Sequence, residues 1–156
     1  MFINNQTQKT EPEKWNLHLQ NLSSEMLKDF FDETPEFTFS YVEPDEIRKL
    51  NKEFRSVDNV TDVLSFPSGD EVDPETGLLY LGDIAVCLDR AQEQADQSGH
   101  PLENEVTLLM IHGILHLMGY DHSTSEEKQE MWKLQNEYLD KFGCHINRKP
   151  GEDFDF

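Results

Sequence analysis

Apolar residues recur along this chain with two different periods, and the changes of period outline its elements. Over residues 13–32 they fall at Trp15, Leu19, Leu22, Met26, Leu27, Phe30 and Phe31. That helical spacing predicts an amphipathic helix, ended ahead of Pro35. Residues 37–42 instead alternate, with Phe37, Phe39 and Tyr41 against Thr38 and Ser40, which predicts a strand with one buried face. Pro44-Asp45-Glu46 opens a second helix, with acidic side chains where the N-terminal dipole favours them. Its apolar face carries Ile47, Leu50 and Phe54, and its other face Arg48, Lys49, Lys52 and Arg55. Residues 61–66 predict a second strand stopped by Pro67, and 68–77 a polar, acidic loop. Residues 78–88 predict a third strand, interrupted at Gly82-Asp83.

The C-terminal half reads as helical. Residues 89–97 predict a helix closed by Gly99, and Pro101 opens the next one at its first turn. That helix runs to about Met118 and is apolar nearly all round, the pattern of a buried central helix. Gly119 stops it. Thr124, followed three residues later by Glu127, forms a capping box for a last helix. Met131, Leu134, Tyr138 and Phe142 lie on its core face, and Gly143 closes it. Helix, strand, helix, two strands and three helices predict an α+β fold, a small mixed sheet packed with helices around a central buried helix. With 156 residues, 1–156 is read as one domain. The tail 148–156 is expected to be loose.

Composition narrows the setting. The longest apolar run, residues 106–118, is too short and too polar for a bilayer, and the first 20 residues carry no secretory signal pattern. Cys87 and Cys144 form no disulfide framework, so a reduced cytoplasmic protein is expected, with Cys87 as a small buried residue. The formal net charge of −19 argues against nonspecific binding to nucleic acid. Against that stands the basic stripe of Arg48, Lys49, Lys52 and Arg55.

Candidate chemistry gathers at the end of the central helix. His112 and His116 are one helical turn apart on one face, the separation at which two imidazoles reach one tetrahedral zinc. Gly119 then lets the chain turn back and present His122 as a third ligand. Three neutral imidazoles leave zinc its full charge and an open position for water, whose pKa it can bring to about 7. Asp121 stands where it either orients an imidazole or caps the turn. His18 and His100 stand alone near helix ends and are expected at the surface, and Cys144-His145 is a poor metal signal. The histidine spacing is that of metzincin metallopeptidases, H-E-x-x-H-x-x-G-x-x-H. The glutamate that activates water in those enzymes is Gly113 here, so a peptidase loses its general base.

The histidine segment 112–122 with Gly113 resembles the YbeY family, together with Leu50-Asn51-Lys52-Glu53-Phe54-Arg55, Thr61-Asp62-Val63-Leu64-Ser65-Phe66-Pro67 and Leu81-Gly82-Asp83-Ile84. The resemblance covers residues 37–142, and segments 61–67 and 112–122 are its specific parts. It implies a zincin-like α+β fold and a single-strand-specific, zinc-dependent endoribonuclease. The implied substrate is ribosomal RNA, at the 3′ end of the small-subunit RNA, with a role in ribosome quality control. It implies one zinc on His112, His116 and His122, and Arg55 and His116 as catalytic residues, Arg55 clamping phosphate. Implied partners are the small ribosomal subunit, ribosomal proteins or a ribosome-assembly GTPase. Two other classes stay open: a ribosome-binding maturation factor without nuclease activity, and a metzincin-like peptidase.

Overall fold

A computed structural model describes residues 1–147. The expected looseness of 148–156 lies outside the described residues. Strand β1 (Phe2–Asn5) leads through a 3-10 turn, Glu11–Lys14, into helix α1 (Asn16–Lys28). Strand β2 (Glu36–Tyr41), helix α2 (Pro44–Arg55) and the antiparallel pair β3 (Val63–Val72) and β4 (Leu79–Val86) follow. Helices α3 (Leu88–Ser98), α4 (Leu102–Leu117) and α5 (Ser125–Lys141) complete the chain. The sheet order is β1-β2-β4-β3. β1 and β4 both run parallel to β2, while β3 pairs antiparallel with β4, so the sheet is mixed as expected.

Side chains alternate across the sheet. Phe39, Tyr41, Ile84 and Val86 point into the main core, where they meet Leu19 and Met26 of α1, Leu108, Ile111 and Ile114 of α4, and Met131 of α5. Leu64, Ala85 and Cys87 face the other way and pack with Ile47 of α2. The two faces are what a period of two residues produces. Helix α4 is buried along almost its whole length, and it comes so close to the sheet that an added Cβ at Gly113 would lie 2.8 Å from an Ile84 side-chain atom.

The structure corrects the predicted elements in several places. β1 was not expected. Its four residues, Phe-Ile-Asn-Asn, are short and mostly exposed, so they carry no alternation to read. The first predicted helix is shorter, with a 3-10 turn before it and its end at Lys28. Pro67 does not stop β3, which continues to Val72 through part of the predicted loop. β3 is an edge strand, and an edge position tolerates a residue without an N–H. A register shift between Pro67 and Glu71 absorbs the irregularity. Likewise β4 runs unbroken through Gly82, whose φ of 137° suits glycine, and a Cβ there would lie 2.1 Å from the Phe66 carbonyl oxygen. Phe54, placed on the apolar face of α2, is exposed, with its ring 5.1 Å from that of Phe66 at the edge of the sheet.

Candidate metal centre

Helix α4 carries two of the three predicted ligands in its last turns. Backbone N–H groups of Gly119 and Tyr120 donate back to the carbonyls of His116 and Leu115 at 3.0 Å each, closing the helix. Gly119 itself adopts φ of 101°, and the chain reverses there to bring His122 back over His116. Ring centroids lie 4.5 Å apart for His112–His116, 5.2 Å for His116–His122 and 6.0 Å for His112–His122. One ligand atom from each of the three lies within 4.8 Å of the other two. All three predicted ligands are therefore together, and the group is able to hold one metal ion.

Their surroundings suit coordination. His112 is buried, while His116 and His122 are half-buried toward a cleft. The His116 pKa is pushed down to about 4, first by burial and then by the neighbouring His122, with Arg55 a smaller contributor. His116 is thus neutral at physiological pH, with a lone pair available to a metal. Gln135 of α5 accepts a hydrogen bond from His112 Nδ1. Sequence reasoning missed Gln135. The signal was present as a polar residue four positions after Met131 on the core stripe of α5, and it is buried.

Of the two roles open to Asp121, the structure shows the cap. Its Oδ1 accepts from the His122 backbone N–H at 2.7 Å and its Oδ2 from the Ser123 hydroxyl at 2.6 Å. Those two bonds hold its carboxyl below the usual range. Thr124 then caps α5 by accepting from the Glu127 N–H at 3.2 Å, as the capping box predicts.

Arg55 reaches the same place from a different element. It ends α2, and with Val63, Leu64 and Ser65 of the β3 edge it lines the cleft of about 220 Å³ that holds His116 and His122. Two others of the basic stripe are tied to Asp58: Arg48 pairs with it at 2.9 Å, and Lys52 lies 4.0 Å from the same carboxylate. A larger cavity, about 460 Å³, lies beyond the His122 turn between Phe30, Phe31 and Tyr120. It is lined by three carboxylates, Asp121, Glu127 and Glu130, whereas the smaller cleft has Asp121 alone facing Arg55, so the smaller cleft is the better suited to an anion.

His18 and His145 are exposed, away from the cluster. His100, expected at the surface, is buried and bonded to Glu105 at 2.6 Å. The segment after α5 covers it: the Asn147 backbone N–H donates to His100 Nδ1 at 3.0 Å, and Asn104 Nδ2 donates to the His145 carbonyl at 2.6 Å. Contacts across more than 40 residues, such as these at separations of 47 and 41, leave no local pattern.

A mixed sheet laid on a central helix, with two helical histidines and a third returned by a glycine turn, defines a zincin-like α+β protein. The family model described as endoribonuclease YbeY matches residues 2–143, and the chain belongs to that family. The endoribonuclease YbeY of Limosilactobacillus reuteri is 39% identical over 144 residues, covering 80% of this chain and 91% of that protein. The endoribonuclease YbeY of Clostridioides difficile is 46% identical over 113 residues, covering 71% and 74%. A solution structure of a Thermotoga maritima protein superposes with a TM-score of 0.58 at 28% identity, covering 97% of this chain and all (100%) of that one. Among the described residues no helix is long and apolar enough to cross a membrane.

Proposed function

We propose that this protein is a zinc-dependent, single-strand-specific endoribonuclease of the cytoplasm that processes ribosomal RNA, with the 3′ end of the small-subunit RNA as its target and a part in ribosome quality control. One observation carries the reading: a cluster of three histidines opens, through His116 and His122, on a cleft that also holds Arg55, in a chain whose relatives are named endoribonucleases. Zinc on His112, His116 and His122 would supply Lewis acidity toward a phosphodiester and activate water. His112 and His116 are fixed by the rigid helix α4, and His122 by the Asp121 cap. Arg55 faces the cleft as a planar, permanently charged donor that stabilises negative charge building on the phosphate oxygens.

The peptidase alternative lacks its general base, since Gly113 stands where metzincins carry the glutamate, and Gly113 packs closely against Ile84. The second reading, a maturation factor that binds the small subunit through a ribosomal protein or a GTPase without cutting RNA, draws support from the net charge of −19. The test is cleavage of precursor small-subunit RNA, free and within ribosomes, by zinc-loaded protein beside a His116→Ala control. Cleavage by the parent alone supports the nuclease. Equal cleavage by both proteins assigns the activity to a contaminant and favours the binding factor.

A further inference from the structure

We infer that Gln135 sets which nitrogen of His112 faces the metal, and that its being an amide rather than a carboxylate keeps the centre positively charged for an anionic substrate. The second half of this inference rests on the ribonuclease reading above; the first half does not.

Gln135 lies on the core side of α5, with 3% of its surface exposed, beside Met131, Tyr138 and Leu139. An amide in such a place costs free energy unless its polar atoms are bonded. Its Oε1 accepts from Nδ1 of His112, the most buried of the three ligands. An imidazole that donates through Nδ1–H carries its lone pair on Nε2. The bond therefore selects the tautomer and holds the ring plane before any metal arrives, which is how outer partners raise metal affinity. It also joins α5 to α4 across the turn that carries His122. The ligands on the helix and on the turn are thus referenced to one another through α5.

The choice of acceptor has an electrostatic consequence. A carboxylate in this position would draw the imidazole proton toward itself and place a negative charge behind the ligand. Gln135 makes the same bond with no charge. The carboxylate of Asp121, next to His122, is turned to the His122 N–H and the Ser123 hydroxyl. Gln135 thus adds no negative charge to the one that Asp121 already places near His116 and a divalent ion held there. That is the condition for attracting a phosphodiester into a protein whose net charge is −19.

The experiment measures zinc affinity of the metal-free protein by competition with a chromogenic chelator, for the parent, Gln135→Met and Gln135→Glu. Thermal melts of the metal-free forms are recorded beside it. Gln135→Met keeps the length but cannot accept, and its zinc affinity is expected to fall roughly tenfold or more. Gln135→Glu restores the bond and is expected to hold zinc at least as tightly as the parent. Once loaded, it is expected to cleave single-stranded RNA more slowly than the parent. Parent-like zinc affinity in Gln135→Met overturns the positioning role. Equal losses in Met and Glu variants overturn it too, leaving only packing. Parent-like cleavage by loaded Gln135→Glu overturns the argument from neutrality. If Gln135→Met does not fold, Gln135→Asn, which withdraws the amide by one methylene, gives the same readout. A parent that binds zinc but cuts no RNA sinks the nuclease reading, while the affinity series still decides the role of Gln135.

Discussion

Arg55 lines the cleft directly, while Gly119 shapes the turn that returns His122 to it, and their variants are expected to differ accordingly. Arg55 is exposed and belongs to no ligand set, so Arg55→Ala should keep its zinc and its melting temperature yet lose RNA cleavage. Arg55→Lys should recover only part, because an ammonium keeps the charge but not the two-pronged geometry. Zinc content, thermal melts and cleavage on the same preparations check this; cleavage at the parent rate in Arg55→Ala makes Arg55 an ordinary surface residue. At Gly119 a Cβ would meet nothing within 4 Å, so space is not the constraint there. Its φ of 101° is. Gly119→Val should strain the turn by about 1–2 kcal/mol and weaken zinc binding without removing a ligand, and unchanged affinity in a chelator competition would refute this. At this scale the histidines were legible because all three lie within eleven consecutive residues and their spacing is a property of the helix itself. Gln135 and His100 were not, since their roles arise from partners that only tertiary packing supplies.

Helix α4 and strand β4 meet where neither can be enlarged. A Cβ on Gly113 would lie 2.8, 3.0 and 3.1 Å from three atoms of the Ile84 side chain, which is wholly buried. Gly113→Ala should therefore cost about 1–3 kcal/mol of stability through overpacking. Ile84→Val, which removes the methyl in closest contact, should recover part of that loss in the double variant; urea denaturation of all four proteins measures the coupling. A second joint ties the N-terminal helix to the sheet. The Tyr41 hydroxyl accepts from Trp15 Nε1 at 3.1 Å and donates to Asn16 Oδ1 at 2.8 Å. Burial pushes its pKa up to about 12. The native state then keeps a proton that the unfolded chain, with an ordinary phenol, gives up above about pH 10. Stability is expected to fall as pH rises from about 10 to 12, and Tyr41→Phe should flatten that slope in melts at stepped pH. The amphipathic helices α1, α2 and α5 were readable from their periodicity, and α4 from being apolar nearly all round. The strands were readable only where one face is buried. β1 is too short and exposed to alternate, and the extension of β3 depends on a neighbour, β4, that local sequence does not reveal.

Charge is the property that belongs to the molecule as a whole. With 32 acidic against 13 basic side chains, the long-range field repels RNA, while the cleft offers Arg55 beside histidines able to hold a metal ion. Binding of a single-stranded RNA should then involve one or two phosphates. Its affinity should fall with salt at a log–log slope of about −0.7 to −1.5; a slope steeper than about −3, from fluorescence anisotropy across a salt series, would reveal an extended basic surface instead. Elemental analysis of untagged protein should find about one zinc per chain, and a sample that takes up none on zinc addition would remove the metal centre. The outer strand of the sheet carries a different consequence. Among the described residues no strand pairs with the outer side of β3, beside the histidines, and such an edge is the kind of template onto which a second molecule zips its own strand. Pro67 breaks the edge's row of donors, the shifted register bends it, and Asp70 and Glu71 put like charges in front of any identical copy. Self-association through this border is thereby discouraged even in concentrated solution, and the mouth of the cleft is left to molecules of another kind.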